Sequence, residues 1–313
     1  MDEWQYLNED NIPLVFKYLQ EAYRRGFIFC DLNIYEYLKR GKTRMFKIEE
    51  GCLLLLRKRT IGVYVLKLSV PPISLDGNLE LEEKLLKKYL NAGFSCFTNE
   101  EFLKEGHDFK VSKSSSNGGA EFIYTRDILN LAGHKYKNQR NLISKYEKLL
   151  KEGKIIRKWL NYDPQMDEAY KKWAIQSGFG STPVFIPYLK MLPENTKILC
   201  HYDENGKLFH FQVNLKLTDH LWNAVHTIKD YDYFKELNFG WLGDYILMQE
   251  YSEIEYLSVG ATHKGQKELF FSKSRLPHIY KQKATIRYRT TTKEDYAQVI
   301  QPTNNLFGES SLF

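Results

Sequence analysis

Paired cysteines, metal-binding histidine spacings and long apolar runs are all missing from this chain. The four cysteines, Cys30, Cys52, Cys96 and Cys200, lie far apart and form no CxxC pair. They read as free, buried thiols rather than a disulfide framework. The eight histidines show no HExxH or HxxxH spacing, so neither a structural zinc nor a zinc-hydrolase site is expected. No cofactor of the protein's own is expected either. The longest apolar run, Cys52 to Leu56, ends in Arg57, Lys58 and Arg59, far short of the ~20 apolar residues of a membrane-spanning helix. The opening MDEWQYLNEDN is acidic and lacks the apolar core of a secretion signal, which predicts a cytoplasmic protein. Charge of one sign is not in large excess. A net +6 permits RNA, anionic lipid or phosphate as a partner and demands none of them.

What is present is ordinary globular composition, with 43% hydrophobic and 27% charged residues, plus a high aromatic share of 15% that favours strand-rich packing. A chain of 313 residues is long enough for two domains. The first half predicts a helix within Asn8 to Arg25, opened by Asn11 and Pro13 and closed by Gly26. Consecutive antiparallel strands follow in RMFKIEEGCLLLLRKRTIGVYVLKLSV, with turns at Glu50-Gly51 and Lys58 to Thr60. A helix at Leu79 to Leu90 and a strand at Phe94 to Thr98 complete an α+β half. Ser112 to Gly119, SKSSSNGG, is the one low-complexity stretch and is read as a linker. Domains are therefore expected at 1–119 and 120–301, with a loose tail at 302–313. The second half predicts a strand at Lys154 to Leu160, helices at Pro164 to Ser177 and Pro187 to Met191, and a three-strand meander at Thr196 to Tyr202, Leu208 to Leu217 and Leu221 to Ile228. A helix at Phe234 to Tyr251, a strand at Ile254 to Val259, a helix at Gln266 to Lys273 and a strand at Ala284 to Arg289 close it.

The stretch from Glu121 to Gly153 carries the main anomaly. Leu142, Ile143, Tyr146, Leu149 and Leu150 mark one face of an amphipathic helix, stopped by Gly153. Continued backward, the same phase puts Lys135, Asn138 and Gln139 on the inward face. Buried polar groups need partners, so these turns face a wet cavity, or else the helix begins near Asn141 and HKYKNQR is an exposed basic loop.

The spacing Gly133, Lys135-Tyr136, Arg140-Asn141, Ile143 resembles the G-x-K-Y-x-x-x-R-N-x-I signature of the family related to the C-terminal domain of bacterial phosphatidylglycerol lysyltransferases. That resemblance implies an α/β (α+β) fold of two GNAT-like, acyl-CoA N-acyltransferase-like domains in tandem. It also implies that the fourth and fifth strands of the second half splay around the acyl donor and acceptor, placing His226 or Asn223 on one side and Ser258 on the other. His226 and Ser258 are the candidate catalytic residues, each equally readable as a structural strand residue. Lys135, Tyr136, Arg140 and Asn141 are candidate substrate-binding residues. Lys273 and Lys283 join them, Lys273 carried over from the family's G-x-x-x-x-x-x-K segment, for which Gly265 with Ser272-Lys273 stands here, the lysine one residue further on.

Coenzyme A-dependent relatives cradle a pyrophosphate on a Gly-rich helix start. KDYDYFKELNFGWLG occupies that place here, and Asp230 and Asp232, if unpaired, would repel a diphosphate. The expected reaction is transfer of an aminoacyl or acyl group from aminoacyl-tRNA, or from acyl-CoA, to an amine or hydroxyl on a small molecule or lipid headgroup. The rival reading is a non-catalytic protein that holds RNA or an anionic ligand in a basic groove.

Overall fold

Apolar spacing near the N-terminus produces the helix Ile12–Arg24, which buries Val15, Phe16, Tyr18, Leu19 and Ala22 on one stripe. Pro13 stands in its first turn, and Gly26 leaves it at φ 81°. The computed structural model describes residues 3–27, 44–61, 63–99, 110–113, 120–177, 183, 185–234, 237–262 and 267–287. Cys30, Gly265, the 114–119 segment and the 302–313 tail lie outside the described residues.

The chain divides into two compact units, residues 1–121 with 263–265 and 281–313, and residues 122–262 with 266–280. In the first unit the elements run Gln5–Tyr6 (β1), Ile12–Arg24 (α1), Arg44–Glu49 (β2), Cys52–Ile61 (β3), Val63–Leu68 (β4), Ile73–Ser74 (β5), Leu79–Asn91 (α2), Ser95–Asn99 (β6) and Lys110–Lys113 (β7). β2, β3 and β4 form the expected antiparallel meander. The first turn is where the sequence put it: Glu50 and Gly51 adopt φ 50° and 84°, the mirror-image turn whose twist suits a two-residue hairpin. The second is not at Lys58 to Thr60, because pairing continues through Thr60↔Tyr64 to Ile61↔Val63. Alternation on a paired strand outweighed the charged, turn-like composition there. After α2 the chain returns as β6, parallel to β4 over Lys67↔Ser95 and Leu68↔Cys96. Trp4, Met45, Leu54, Leu66, Leu86, Tyr89 and Phe94 fill this unit's core.

The second unit runs Ala120–Thr125 (β8), Lys137–Lys151 (α3), Ile155–Leu160 (β9), Gln165–Ser177 (α4), Ile186–Met191 (α5), Thr196–Asp203 (β10), Leu208–Lys216 (β11), Leu221–Lys229 (β12), Phe239–Glu250 (α6), Tyr256–Thr262 (β13), Lys267–Ser274 (α7) and His278–Arg287 (β14). This is the predicted order of strand, two helices, meander, helix, strand, helix, strand. The sheet order is β8-β13-β12-β11-β10-β9. β9 to β12 are antiparallel neighbours, while β12 and β13 run parallel across the α6 crossover. Both units thus repeat one plan: a meander, a helix, then a strand parallel to the last meander strand. The end of β14 belongs to the first unit, where Lys283 to Arg287 pair with β6.

Candidate active site at an opened strand pair

β12 lies inside the sheet, yet residues 223–227 are all half-exposed, whereas its neighbour β11 is buried from Leu208 to Leu215. Two features of the backbone open it. Pairing with β13 covers Leu221↔Tyr256, Trp222↔Leu257 and Asn223↔Ser258 and stops there. On the opposite edge the register against β11 slips from Val213↔His226 to Asn214↔Ala224, leaving Val225 as a bulged residue. A bulge bends its strand and adds twist, so β12 turns away from β13 just past the last pair. Gly260, at φ 78°, continues the divergence on β13. Backbone N–H and C=O groups beyond Asn223 and Ser258 have no ladder between them and can meet an extended ligand. The splay inferred from resemblance is therefore present, with Asn223 and Ser258 as direct cross-strand partners.

His226 and Val213, opposite each other, share a face of the sheet with Asn223 and Ser258. His226 Nε2 is buried with no hydrogen-bond partner, and the ring stands edge-on to Tyr188 at 6.1 Å. Desolvation brings the imidazole pKa down to about 4, so it is neutral at pH 7. Ser258 is buried at the end of the paired segment.

The opposite face carries a polar cluster that the sequence reading missed. Gln212 Nε2 donates to Asn214 Oδ1 at 2.8 Å and to Asp244 Oδ1 at 3.0 Å. Asn214 Nδ2 in turn donates to the Gln212 carbonyl, and all three side chains are buried. Burial raises the Asp244 pKa to about 7, against the opposing pull of the Gln212 bond and the Lys273 charge. Gln212 sits so close to α6 that a Cβ on Gly243 would lie 2.1 Å from its Oε1. The available signal was Asp244 itself, a carboxylate in mid-helix whose neighbours Leu242, Ile246 and Leu247 are core residues. Lys273 Nζ donates to the carbonyls of Val259 and Gly260, immediately past the last β12–β13 pair. A cation is thus fixed where the strands part.

The residues of the helix motif are placed differently. Gln139 is buried with Oε1 unpartnered, but Lys135 and Asn138 are exposed, so only one of the three polar residues points inward. A 3-10 turn at His134–Tyr136 precedes α3, and its three-residue period takes Lys135 off the extrapolated phase, while Asn138 lies on the solvent side of α3 itself. Tyr136 is buried in a cluster with Trp222, Leu247, Leu257 and Leu276. Arg140 Nη1 donates to the carbonyls of Leu131 at 2.6 Å and Gly133 at 2.7 Å, and Asn141 is exposed. Lys283 is opposite Asn99 in the first unit's sheet, whereas all the other candidates are in the second. Asp230 and Asp232 are not unpaired carboxylates: Lys172 Nζ reaches Asp230 at 2.6 Å and Asp232 at 3.6 Å. One ammonium thus bridges both carboxylates, which weakens the repulsion inferred from sequence.

These features define a mixed α/β protein whose two units each carry an antiparallel meander, a crossover helix and a parallel strand. No protein-family model and no curated protein matches the sequence. Among solved structures, a conserved protein of unknown function from Bacteroides thetaiotaomicron is similar with TM-score 0.67 and 14% identity, over 92% of this chain and 100% of that one. The C-terminal domain of a putative lysylphosphatidylglycerol synthetase from Agrobacterium fabrum gives TM-score 0.57 and 9% identity, over 93% and 97%. The L-PGS structure from Bacillus licheniformis gives 0.55 and 13%, over 90% and 95%. At these identities the likeness is one of fold.

Proposed function

We propose that this protein is an acyltransferase that moves an aminoacyl group from aminoacyl-tRNA to an amine or hydroxyl acceptor in the cleft between β12 and β13. The observation that carries this reading is the interior strand β12 left half-open along residues 223–227, where bulge and short parallel ladder part the sheet. Free strand edges suit the extended arm of an activated acyl group, and positioning is most of what such a reaction requires. The acceptor's lone pair attacks the ester carbonyl, the bond to the ribose oxygen breaks, and that oxygen leaves with a proton. Asp244, with its pKa near 7, is suited to take the acceptor's proton. Lys273 supplies positive charge near the developing oxyanion, while Asn223 and Ser258, on the other face of the sheet, form the last cross-strand pair at the mouth of the cleft.

An RNA carrier is favoured over coenzyme A by the start of α6. There the Asn238 side chain already accepts from Gly240 N at 3.1 Å, so the first turn is capped without a ligand phosphate. The fold shared with lysylphosphatidylglycerol synthetases supports an aminoacyl donor. The test is a single-turnover assay of purified protein with labelled aminoacyl-tRNA or acetyl-coenzyme A and a panel of amines and hydroxyls. Labelled acceptor should form from the tRNA, and Asp244→Asn should slow it about 100-fold or more. Turnover with the coenzyme alone would return the protein to the acetyltransferases, and saturable binding without turnover would make it a carrier.

A further inference from the structure

A cavity of about 460 Å³ separate from the strand cleft is lined by Lys135, Tyr136, Ser274, Arg275, Leu276, Pro277 and His278. No carboxylate lines it. Lys135 and Arg275 are both exposed, and neither has an acidic partner among the described residues. Each is instead held over an aromatic ring: Lys135 Nζ lies 4.6 Å from the Tyr136 centroid, and the Arg275 guanidinium 5.2 Å from that of Phe271. Tyr136 and Leu276 are buried in the core, which fixes the walls from which the two cations project. His278 Nδ1 lies 2.7 Å from the Leu276 carbonyl. A carbonyl can only accept, so Nδ1 donates and Nε2 is left as an acceptor for a ligand O–H or N–H.

We propose that this cavity is a binding site for a phosphate-bearing small molecule or headgroup. A lysine, an arginine and an imidazole line it with no carboxylate among the lining residues, so the ligand supplies the negative charge. A carboxylate's two oxygens can be satisfied by the Arg275 fork alone, whereas a phosphate has oxygens to accept from both Arg275 and Lys135 and, as a monoanion, a P–OH that can donate to His278 Nε2. The Pro277, Leu276 and Tyr136 wall suits the apolar side of an attached ribose or glycerol. This assignment goes beyond the transfer reaction and does not depend on it.

The experiment is isothermal titration of the full chain with AMP, glycerol 1-phosphate and, as control, acetate. Saturable binding of a phosphate probe, with no competition from acetate, is the expected result. Preference for AMP would assign the phosphate to a nucleotide and preference for glycerol 1-phosphate to a lipid headgroup. Lys135→Ala and Arg275→Ala should each weaken binding at least tenfold at unchanged Tm, with Arg275→Lys intermediate because it keeps the charge and loses the fork. Absence of binding by both probes, equal binding of acetate, or affinity unaltered in both alanine variants overturns the site. Because no transfer is measured, a protein that moves aminoacyl groups but ignores these probes refutes the site alone.

Discussion

Single side chains in this protein are tuned more by burial than by partners. His201 and His210 face each other across β10 and β11, with Nδ1 to Nδ1 at 2.9 Å, and Tyr146 Oη lies 2.8 Å from His201 Nε2. One proton serves the pair of Nδ1 atoms, so both rings are neutral. Desolvation is the first cause in each: it holds His201 well below the ordinary imidazole value and brings His210 down to about 3 and His226 to about 4. The unfolded chain takes up protons on these rings near pH 6.5 while the native state does not. Their effect on stability is therefore absent above about pH 6.5 and destabilising below it, by about 1.4 kcal/mol per pH unit for each ring until its native pKa is reached. Urea unfolding between pH 7.5 and 4.5 should show this slope, and His210→Phe should flatten it. Gly243 is a second residue-scale case. Gly243→Ala forces a methyl onto Gln212 Oε1, 2.1 Å from the ideal Cβ, and breaks the Gln212–Asp244 contact. A loss of about 2–3 kcal/mol is expected in chemical denaturation.

At the scale of elements, α3 shows how one motif divides between packing and surface. Gln139 and Tyr146 are its buried side, continuing Tyr136 of the preceding turn, and Arg140 reaches back to bind the Leu131 and Gly133 carbonyls of the loop before it. Arg140 therefore has a local structural task whether or not its remaining donors meet a ligand. Arg140→Ala should cost about 1.5–3 kcal/mol, the range for a hydrogen-bonded charged group. Hydrogen exchange should localise the loosening to residues 131–140, with the β10–β11 amides unaffected. Uniform loosening of the whole second unit would contradict this local role.

For the whole molecule, the consequential fact is that the last part of β14 lies in the first unit's sheet, with Lys283 to Arg287 paired to β6 and Ala284 to Arg287 to β7. Ending the chain after Tyr280 would strip β6 and β7 of that strand while leaving every meander pair of the second unit in place. Limited proteolysis of such a truncation should cut first within 1–121, and the second unit should persist as a resistant fragment. Simultaneous loss of both units would show instead that they fold as one cooperative body.

Local chemistry determined most of the elements. The 3.6-residue stripe of Val15, Tyr18, Leu19 and Ala22, the Glu50-Gly51 hairpin and the turns between β10, β11 and β12 were legible because period and turn chemistry act over a few residues. The order of those elements followed, and with it the expected GNAT-like plan. The cleft was legible only through resemblance, since neither the one-residue slip at Val225 nor the three-residue ladder to β13 leaves a mark in composition. Asp244 meets Gln212, with Asn214 beside it, across 32 residues of sequence, and Asp230 finds Lys172 across 58. Such partnerships are long-range and set by packing. Charge and periodicity told which residues were polar; only the tertiary structure decided which of them were buried, which were paired, and where the sheet opened.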